Sequence, residues 1–363
     1  MNFKGFLFIV LLGYSSTLGA IFFIGPLIPL VYFQPALGRR LLDQMIWLWQ
    51  VYAVAVVEKV CGVKIVITGK PMPEQESGLI LMNHRTRFDW LFMMSYQLRC
   101  GSLRHFKISL KKSLKNVPGP GWAMQSAGYI FLHRKWEIDQ KIMTRCISYF
   151  NKVKHKPQVL LFPEGTDLTP NTMKRSDKYA KDNDLEKYDY VLHPRTAGFV
   201  FLMEKMREYN LLDSVLDVAV AYPKFIPQNE KDILQGKFPS EVHFNVKLYS
   251  DVDVPLDKDG MDKWCRDRWQ QKEEQLKKFY LGDRRFSEPL VDPARQRRED
   301  YVQHLFTFSL IFWNIFQVAA TIFLLYAPVV RWYTLLCGLG FVLVSKYGGM
   351  GKFLASTVTQ VEP

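Results

Sequence analysis

Apolar positions along the chain fall into three regimes. Residues 5–33, GFLFIVLLGYSSTLGAIFFIGPLIPLVYF, carry no charge. As a helix rising ~1.5 Å per residue, this run exceeds the ~30 Å hydrocarbon core of a bilayer, so one span fits and two do not. TLGA resembles a signal-peptide cleavage site, but apolar residues continue past it to Arg39-Arg40, which favours an anchor. The far end repeats the pattern: LFTFSLIFWNIFQVAATIFLLY (305–326) is long enough to span, and WYTLLCGLGFVLVS (332–345) follows Pro328 and Arg331. Neither segment has an amphipathic stripe, and together they predict a membrane hairpin with a very short turn.

Between these ends the period changes. Short Val- and Ile-rich runs predict strands at VKIVIT (63–68), GLILM (78–82), GYIFL (128–132), QVLLF (158–162), LDVAVAY (216–222) and VHFNVKLY (242–249). Helical patterns near 138–152, 196–209 and 260–280 alternate with them, predicting an α/β domain on a largely parallel sheet. In the last helix Glu273–Lys277 and Glu274–Lys278 are supporting pairs on a face expected to be solvated. Residues 35–60 contain Trp47 and Trp49 among aliphatics and suit the headgroup layer. The polar stretch 167–190 reads as a surface loop. The expected division is 1–60 as anchor and interfacial helix, 61–290 as catalytic domain, and 291–363 as C-terminal hairpin.

Charge narrows the partners. The chain has 363 residues and a formal net charge of +13, which favours anionic ligands: nucleic acid, a phospholipid surface or phosphate-bearing small molecules. Arg39-Arg40 after the first span and Arg295, Arg297 and Arg298 before the second place the middle region on the cytosolic side. The five cysteines are scattered without a C-x-x-C pair, so neither a disulfide framework nor a zinc ribbon is expected. His84 and His105, 21 positions apart, are the two closest of the seven histidines, and no metal site is expected. No G-x-S-x-G occurs, which removes the usual serine hydrolase.

Three strand ends carry chemistry. In LILMNHRTRFDW the apolar run ends at Asn83-His84, and Asp89 follows. On a continuous helix, residues five apart lie about 140° around the axis, so a turn must intervene if His84 and Asp89 are to meet. A strand ending at Asn83 supplies it, and strand ends are where α/β folds bind ligands. An aspartate on one ring nitrogen would fix the tautomer and leave the other as a general base. Alone, such a pair suits a structural role as well as a catalytic one. LLFPEGTDL (160–168) sets Glu164 at the end of an apolar strand, where an unpaired charge is costly, and turns through Gly165. GYIFLHRK (128–135) ends in His133-Arg134, and an arginine fork suits a phosphate.

NHRTRFD, GYIFLHR, FPEGT and DVAVAYP (217–223) resemble, in order, the four blocks of the phospholipid and glycerolipid acyltransferase family, over about residues 60–225. MNHRTRFDW, SLKNVPGPGWAMQ, LLFPEGTDL and YVLHPRTAGF are similar to its lysocardiolipin acyltransferase branch across nearly the whole chain. The resemblance implies a glycerolipid-acyltransferase-like mixed, largely parallel sheet flanked by helices, between N-terminal and C-terminal membrane-anchoring helices. It also implies an acyl-CoA-dependent lysophospholipid acyltransferase of the endoplasmic reticulum membrane, with acyl-CoA as co-substrate and no cofactor. In it His84 is the base and Asp89 orients it. Arg134, Glu164, Gly165 and Thr166 belong to the acceptor's phosphate, and Pro223 to the acyl-CoA side.

One position departs from the family pattern: Asp167 follows Thr166 where the commonest third block has arginine or serine. That removes positive charge beside the phosphate and points away from lysophosphatidic acid, towards lysocardiolipin, lysophosphatidylinositol or lysophosphatidylglycerol. Acylation of lysophosphatidic acid to phosphatidic acid is the alternative, and a catalytically inactive lipid-binding scaffold is the alternative of another class. Backbone amides after His84 are the candidates to hold the oxyanion. With membrane anchors and two anionic substrates, the positive balance is explained by the bilayer and acyl-CoA, and no nucleic acid is expected.

Overall fold

A computed structural model describes residues 2–295 and 297–359. Seven strands occur among them: β1 (Lys64–Gly69), β2 (Gly78–Met82), β3 (Phe106–Lys111), β4 (Ile130–Leu132), β5 (Gln158–Leu161), β6 (Ser214–Ala221) and β7 (Glu241–Ser250). The α-helices are α1 (Phe3–Gly19), α2 (Ile28–Phe33), α3 (Pro35–Ala55), α4 (Asp89–Cys100), α5 (Pro120–Ser126), α6 (Trp136–Lys152) and α7 (Pro170–Asp182). They continue with α8 (Ala197–Glu208), α9 (Glu230–Leu234), α10 (Lys258–Leu281), α11 (Glu299–Tyr326), α12 (Pro328–Lys346) and α13 (Met350–Thr359). The chain divides into two compact units.

The first unit takes Met1–Gly5, Val57–Ser102 and Gln158–Arg298. Its strands lie in the order β1-β7-β6-β2-β5, parallel at every pairing except β6 with β7. GLILM reads as an unbroken apolar run because β2 is central: all five of its residues are buried between β5 and β6. Behind the sheet, α10 buries Met261, Cys265, Trp269, Leu276 and Phe279. It also buries Lys272, which donates to the Leu81 carbonyl at 3.3 Å and the Val218 carbonyl at 2.6 Å and pairs with Asp217 at 2.6 Å. Glu273, expected on a solvated face, is 9% exposed and accepts the backbone N–H groups of Asp189, Tyr190 and Val191. A carboxylate at that spacing from lysine reads as a surface pair, but three converging amides recruit it inward. Residues 167–190 are not wholly loop either. They contain α7, whose start is closed by a reciprocal Thr169–Thr172 capping box after Pro170 enters at the first turn.

The second unit takes Phe6–Val56, Leu103–Pro157 and Glu299–Pro363. The chain reverses at Gln34, and α3 runs back so closely that a Cβ on Gly38 would meet the Val31 backbone at 2.6 Å. Trp49 donates to Ser15 Oγ at 2.9 Å, and Trp313 on α11 donates to the Leu48 carbonyl at 3.1 Å. Residues 35–55 therefore pack on neighbouring helices, on a face that buries Arg39, Asp43 and Gln50 as well as Leu42 and Ile46. Strand β3, which no uninterrupted apolar run announces, pairs in parallel with β4. Its run is broken by Lys107, buried here and bonded to Asp43 at 2.8 Å, which also holds Arg39 and lies 3.2 Å from His155 Nδ1. Burial takes Lys107 down to about 8 and His155 down to about 3, despite the Asp43 carboxylate.

Three helical stretches are long and apolar enough to cross a membrane: Phe3–Phe33, Glu299–Tyr326 and Pro328–Lys346. Only Ala327 separates α11 from α12, the short turn the sequence predicts. Phe308, Ile311, Ile315, Val318 and Ile322 leave an exposed apolar stripe on α11, the surface a lipid-facing helix presents.

Candidate active site

At the end of β2 the side chain of Asn83 replaces a strand partner. Its Nδ2 donates to the Val220 carbonyl at 3.1 Å and its Oδ1 accepts the Val220 N–H at 2.8 Å, so the β2–β6 pairing is held one residue past the ladder. His84 then leaves the sheet through a turn that closes when the Asp89 carboxylate accepts the Thr86 N–H at 2.9 Å. Thr86 is pinned in turn by its hydroxyl, which donates to the Pro227 carbonyl at 2.5 Å. Asp89 is the first residue of α4, where the positive end of the helix favours a carboxylate.

This turn brings His84 Nδ1 to 3.0 Å from Asp89 Oδ2. An ionised aspartate only accepts, so Nδ1 carries the proton and Nε2 keeps its lone pair. Asp89 is fully buried, whereas the His84 side chain keeps 17% of its surface, which is access for a substrate hydroxyl. The imidazole lies against the Phe162 ring with centroids 4.1 Å apart, fixing its plane. On the other face of Asp89, the fully buried Tyr222 donates its hydroxyl to Oδ1.

The FPEGT turn is bonded to the histidine from both sides. The His84 N–H donates to Glu164 Oε1 at 3.2 Å, and the His84 carbonyl accepts the Leu168 N–H at 2.8 Å. Trp269 on α10 donates its indole N–H to the same Glu164 oxygen at 3.3 Å. Glu164 is 3% exposed, and burial pushes its carboxyl up to about 7 despite the pull of His84. Gly165 has φ +69°, which a side chain would strain, and the place of its absent Cβ is 3.6 Å from the Arg195 side chain. Thr166 bonds Asp167 at 3.4 Å; Asp167 faces Arg87 at 3.3 Å, and Arg87 also reaches Glu230 at 2.9 Å.

His84, Asp89, Glu164, Gly165 and Thr166 thus converge in the first unit. Pro223 is in the same unit, its carbonyl accepting from Arg284. Arg134 belongs to the second unit, where it follows β4 with φ +61° beside His133, whose N–H donates to Asp139 at 2.6 Å. Of the backbone amides after His84, that of Thr86 is already committed to Asp89, which removes it from the candidates for an oxyanion, and the amide of His84 itself is committed to Glu164. Tyr222, Phe162, Trp269 and Tyr280, whose hydroxyl accepts the Tyr222 N–H at 3.2 Å, were not singled out from the sequence. Tyr222 sits inside DVAVAYP and Phe162 opens FPEGT, so both belong to the motifs that carry the family resemblance. The aromatic residues of α10 were the one further signal.

A protein-family profile described as acyltransferase matches residues 64–223, and one described as acyltransferase C-terminus matches residues 232–309. The chain belongs to this acyltransferase family and is an enzyme of it, with the histidine–aspartate pair and the glutamate–glycine turn inside the first matched region. Among curated relatives, lysocardiolipin acyltransferase 1 of Gallus gallus is 43% identical over 96% of this chain and 93% of its own length. The Mus musculus protein of the same name is 42% identical over 96% and 94%. Lysophosphatidylinositol acyltransferase 10 of Caenorhabditis elegans is 35% identical over 88% and 86%.

Proposed function

We propose that this chain is a membrane-bound lysophospholipid O-acyltransferase that moves an acyl group from acyl-CoA to the free hydroxyl of a lysocardiolipin, lysophosphatidylinositol or lysophosphatidylglycerol acceptor. The single observation that carries the reading is the 3.0 Å contact between His84 Nδ1 and the buried Asp89, made by a histidine whose ring stays accessible. Nε2 takes the hydroxyl proton as the oxygen attacks the thioester carbonyl. The tetrahedral intermediate collapses, the C–S bond breaks, and the imidazolium returns the proton to the CoA thiolate. General-base assistance of this kind contributes ~10²–10⁴ in rate, with no covalent enzyme intermediate.

Arg134, Gly165 and Thr166 serve the acceptor's phosphate, and Pro223 the acyl-CoA side. Glu164 serves the phosphate indirectly. A carboxyl that is 3% exposed and holds the His84 and Trp269 N–H groups is placed to shape the turn rather than to touch an anion. Arg87 is engaged by Asp167 and Glu230, so the charge that family members with a basic residue after F-P-E-G-T supply is not offered here. This favours bulkier acceptors over lysophosphatidic acid. The three apolar stretches support multi-pass attachment, in our reading to the endoplasmic reticulum with the catalytic unit facing the cytosol.

Membranes carrying the protein, given labelled oleoyl-CoA and a panel of lyso-acceptors, are expected to acylate the lysocardiolipin, lysophosphatidylinositol and lysophosphatidylglycerol group in preference to lysophosphatidic acid. Exclusive use of lysophosphatidic acid would assign the chain to phosphatidic acid synthesis instead.

A further inference from the structure

We propose that Tyr222 is a positioning residue of the reaction: its buried phenol holds the Asp89 carboxylate in the rotamer and charge state that keep His84 Nε2 unprotonated and aimed at the acceptor. The inference rests on His84 acting as the base.

Asp89 has two oxygens and no contact with solvent. Oδ2 accepts the Thr86 N–H at 2.9 Å and faces His84 Nδ1 at 3.0 Å. Oδ1 accepts the Tyr222 hydroxyl, so the carboxylate cannot rotate without breaking bonds on both sides. The phenol is itself fixed. Tyr222 is 1% exposed, its ring meets Phe92 edge-on at 6.0 Å, and its backbone N–H donates to Tyr280 Oη at 3.2 Å. Tyr280 lies on α10, as does Trp269, which reaches His84 from the other side through Glu164. One helix therefore braces the base twice: through Tyr280, Tyr222 and Asp89 to the imidazole, and through Trp269 and Glu164 to the His84 backbone. The ionisable groups facing Tyr222 are Asp89, Tyr280 and Arg85. Burial and the Asp89 charge raise its phenol well above the usual value, so it remains a donor wherever the enzyme works.

A phenol that only filled space would be replaced by phenylalanine without effect on the chemistry. A positioning donor would not. Tyr222→Phe leaves Asp89 Oδ1 unbonded in a buried site, which makes the carboxylate pull harder on the His84 Nδ1 proton. The expected result, per folded protein in membranes, is a kcat lower by about tenfold to a hundredfold, the range of a charge-assisted hydrogen bond, with KM for both substrates unchanged. The acidic limb of the kcat/KM profile, which reports the free-enzyme base, moves to higher pH. In an Asp89→Asn background the same substitution is expected to add no further loss, because the two residues act as a unit.

A kcat and acidic limb equal to wild type, or a loss that multiplies with that of Asp89→Asn, overturns the proposal. If Tyr222→Phe does not accumulate, 3-fluorotyrosine at position 222 keeps the whole side chain and strengthens the donor. The acidic limb is then expected at lower pH, and an unmoved limb overturns the proposal. Failure of the His84 reading is distinguishable: His84→Ala would then retain transfer, whatever Tyr222 does.

Discussion

His84 is held by groups it does not neighbour in sequence. Asp89 is five residues away and its partner Tyr222 is 133 residues from it, while Glu164 is 80 residues from the histidine. The first separation is legible, because a strand followed by a turn is the one way to bring positions five apart together. The others are not, since a sheet order that places β6 and β5 on either side of β2 has to exist before Tyr222 and Glu164 have a destination. Glu164 makes the residue scale testable through pH. Its carboxyl is raised from about 4.5 to about 7 by burial, so between those values the folded chain binds a proton that the unfolded chain has released. Stability from this group is therefore full below pH 4.5 and falls as the pH rises towards 7. Glu164→Gln keeps the carbonyl oxygen that the His84 and Trp269 N–H groups use. Denaturant unfolding of the two proteins in detergent from pH 4 to 8 is expected to show the variant gaining on wild type across that window. A difference that stays constant with pH would contradict the assignment.

At the scale of elements, reading by period succeeds where one face decides and fails where a buried charge breaks the pattern. Strands β1, β2, β4, β5, β6 and β7 announce themselves as apolar runs. Strand β3 does not, because Lys107 interrupts it, and the Asp43 that makes this lysine tolerable lies 64 positions away. Helix α10 is the same lesson on a larger scale. Its Glu–Lys pairs suggest a solvated face, yet Lys272 and Glu273 both turn inward to backbone groups of the sheet and of residues 189–191. Lys272→Ala is expected to cost about 3–5 kcal/mol in an unfolding experiment, because it strands Asp217 and two sheet carbonyls. A cost below ~1 kcal/mol, the range of exposed pairs, would show that the lysine is not part of the support.

For the whole molecule, composition and the spans set the context of the candidate site. A formal charge of +13 on a chain with three stretches able to cross a bilayer suits an enzyme whose substrates are anionic and partly dissolved in the membrane. The span positions were legible because hydrocarbon thickness is a fixed ruler. The way α3 turns back against residues ahead of Gln34 was not, since it depends on Gly38 admitting the Val31 backbone. The central claim, that the His84–Asp89 pair performs acyl transfer, is tested most directly on the full chain in membranes. Labelled acyl transfer from oleoyl-CoA to the preferred lysophospholipid is measured with wild type and with His84→Ala at equal expression. Loss of ~10²-fold or more in the variant, with the protein still folded, is the expected result. Equal transfer by the two would mean that the pair is structural and that the chemistry lies elsewhere.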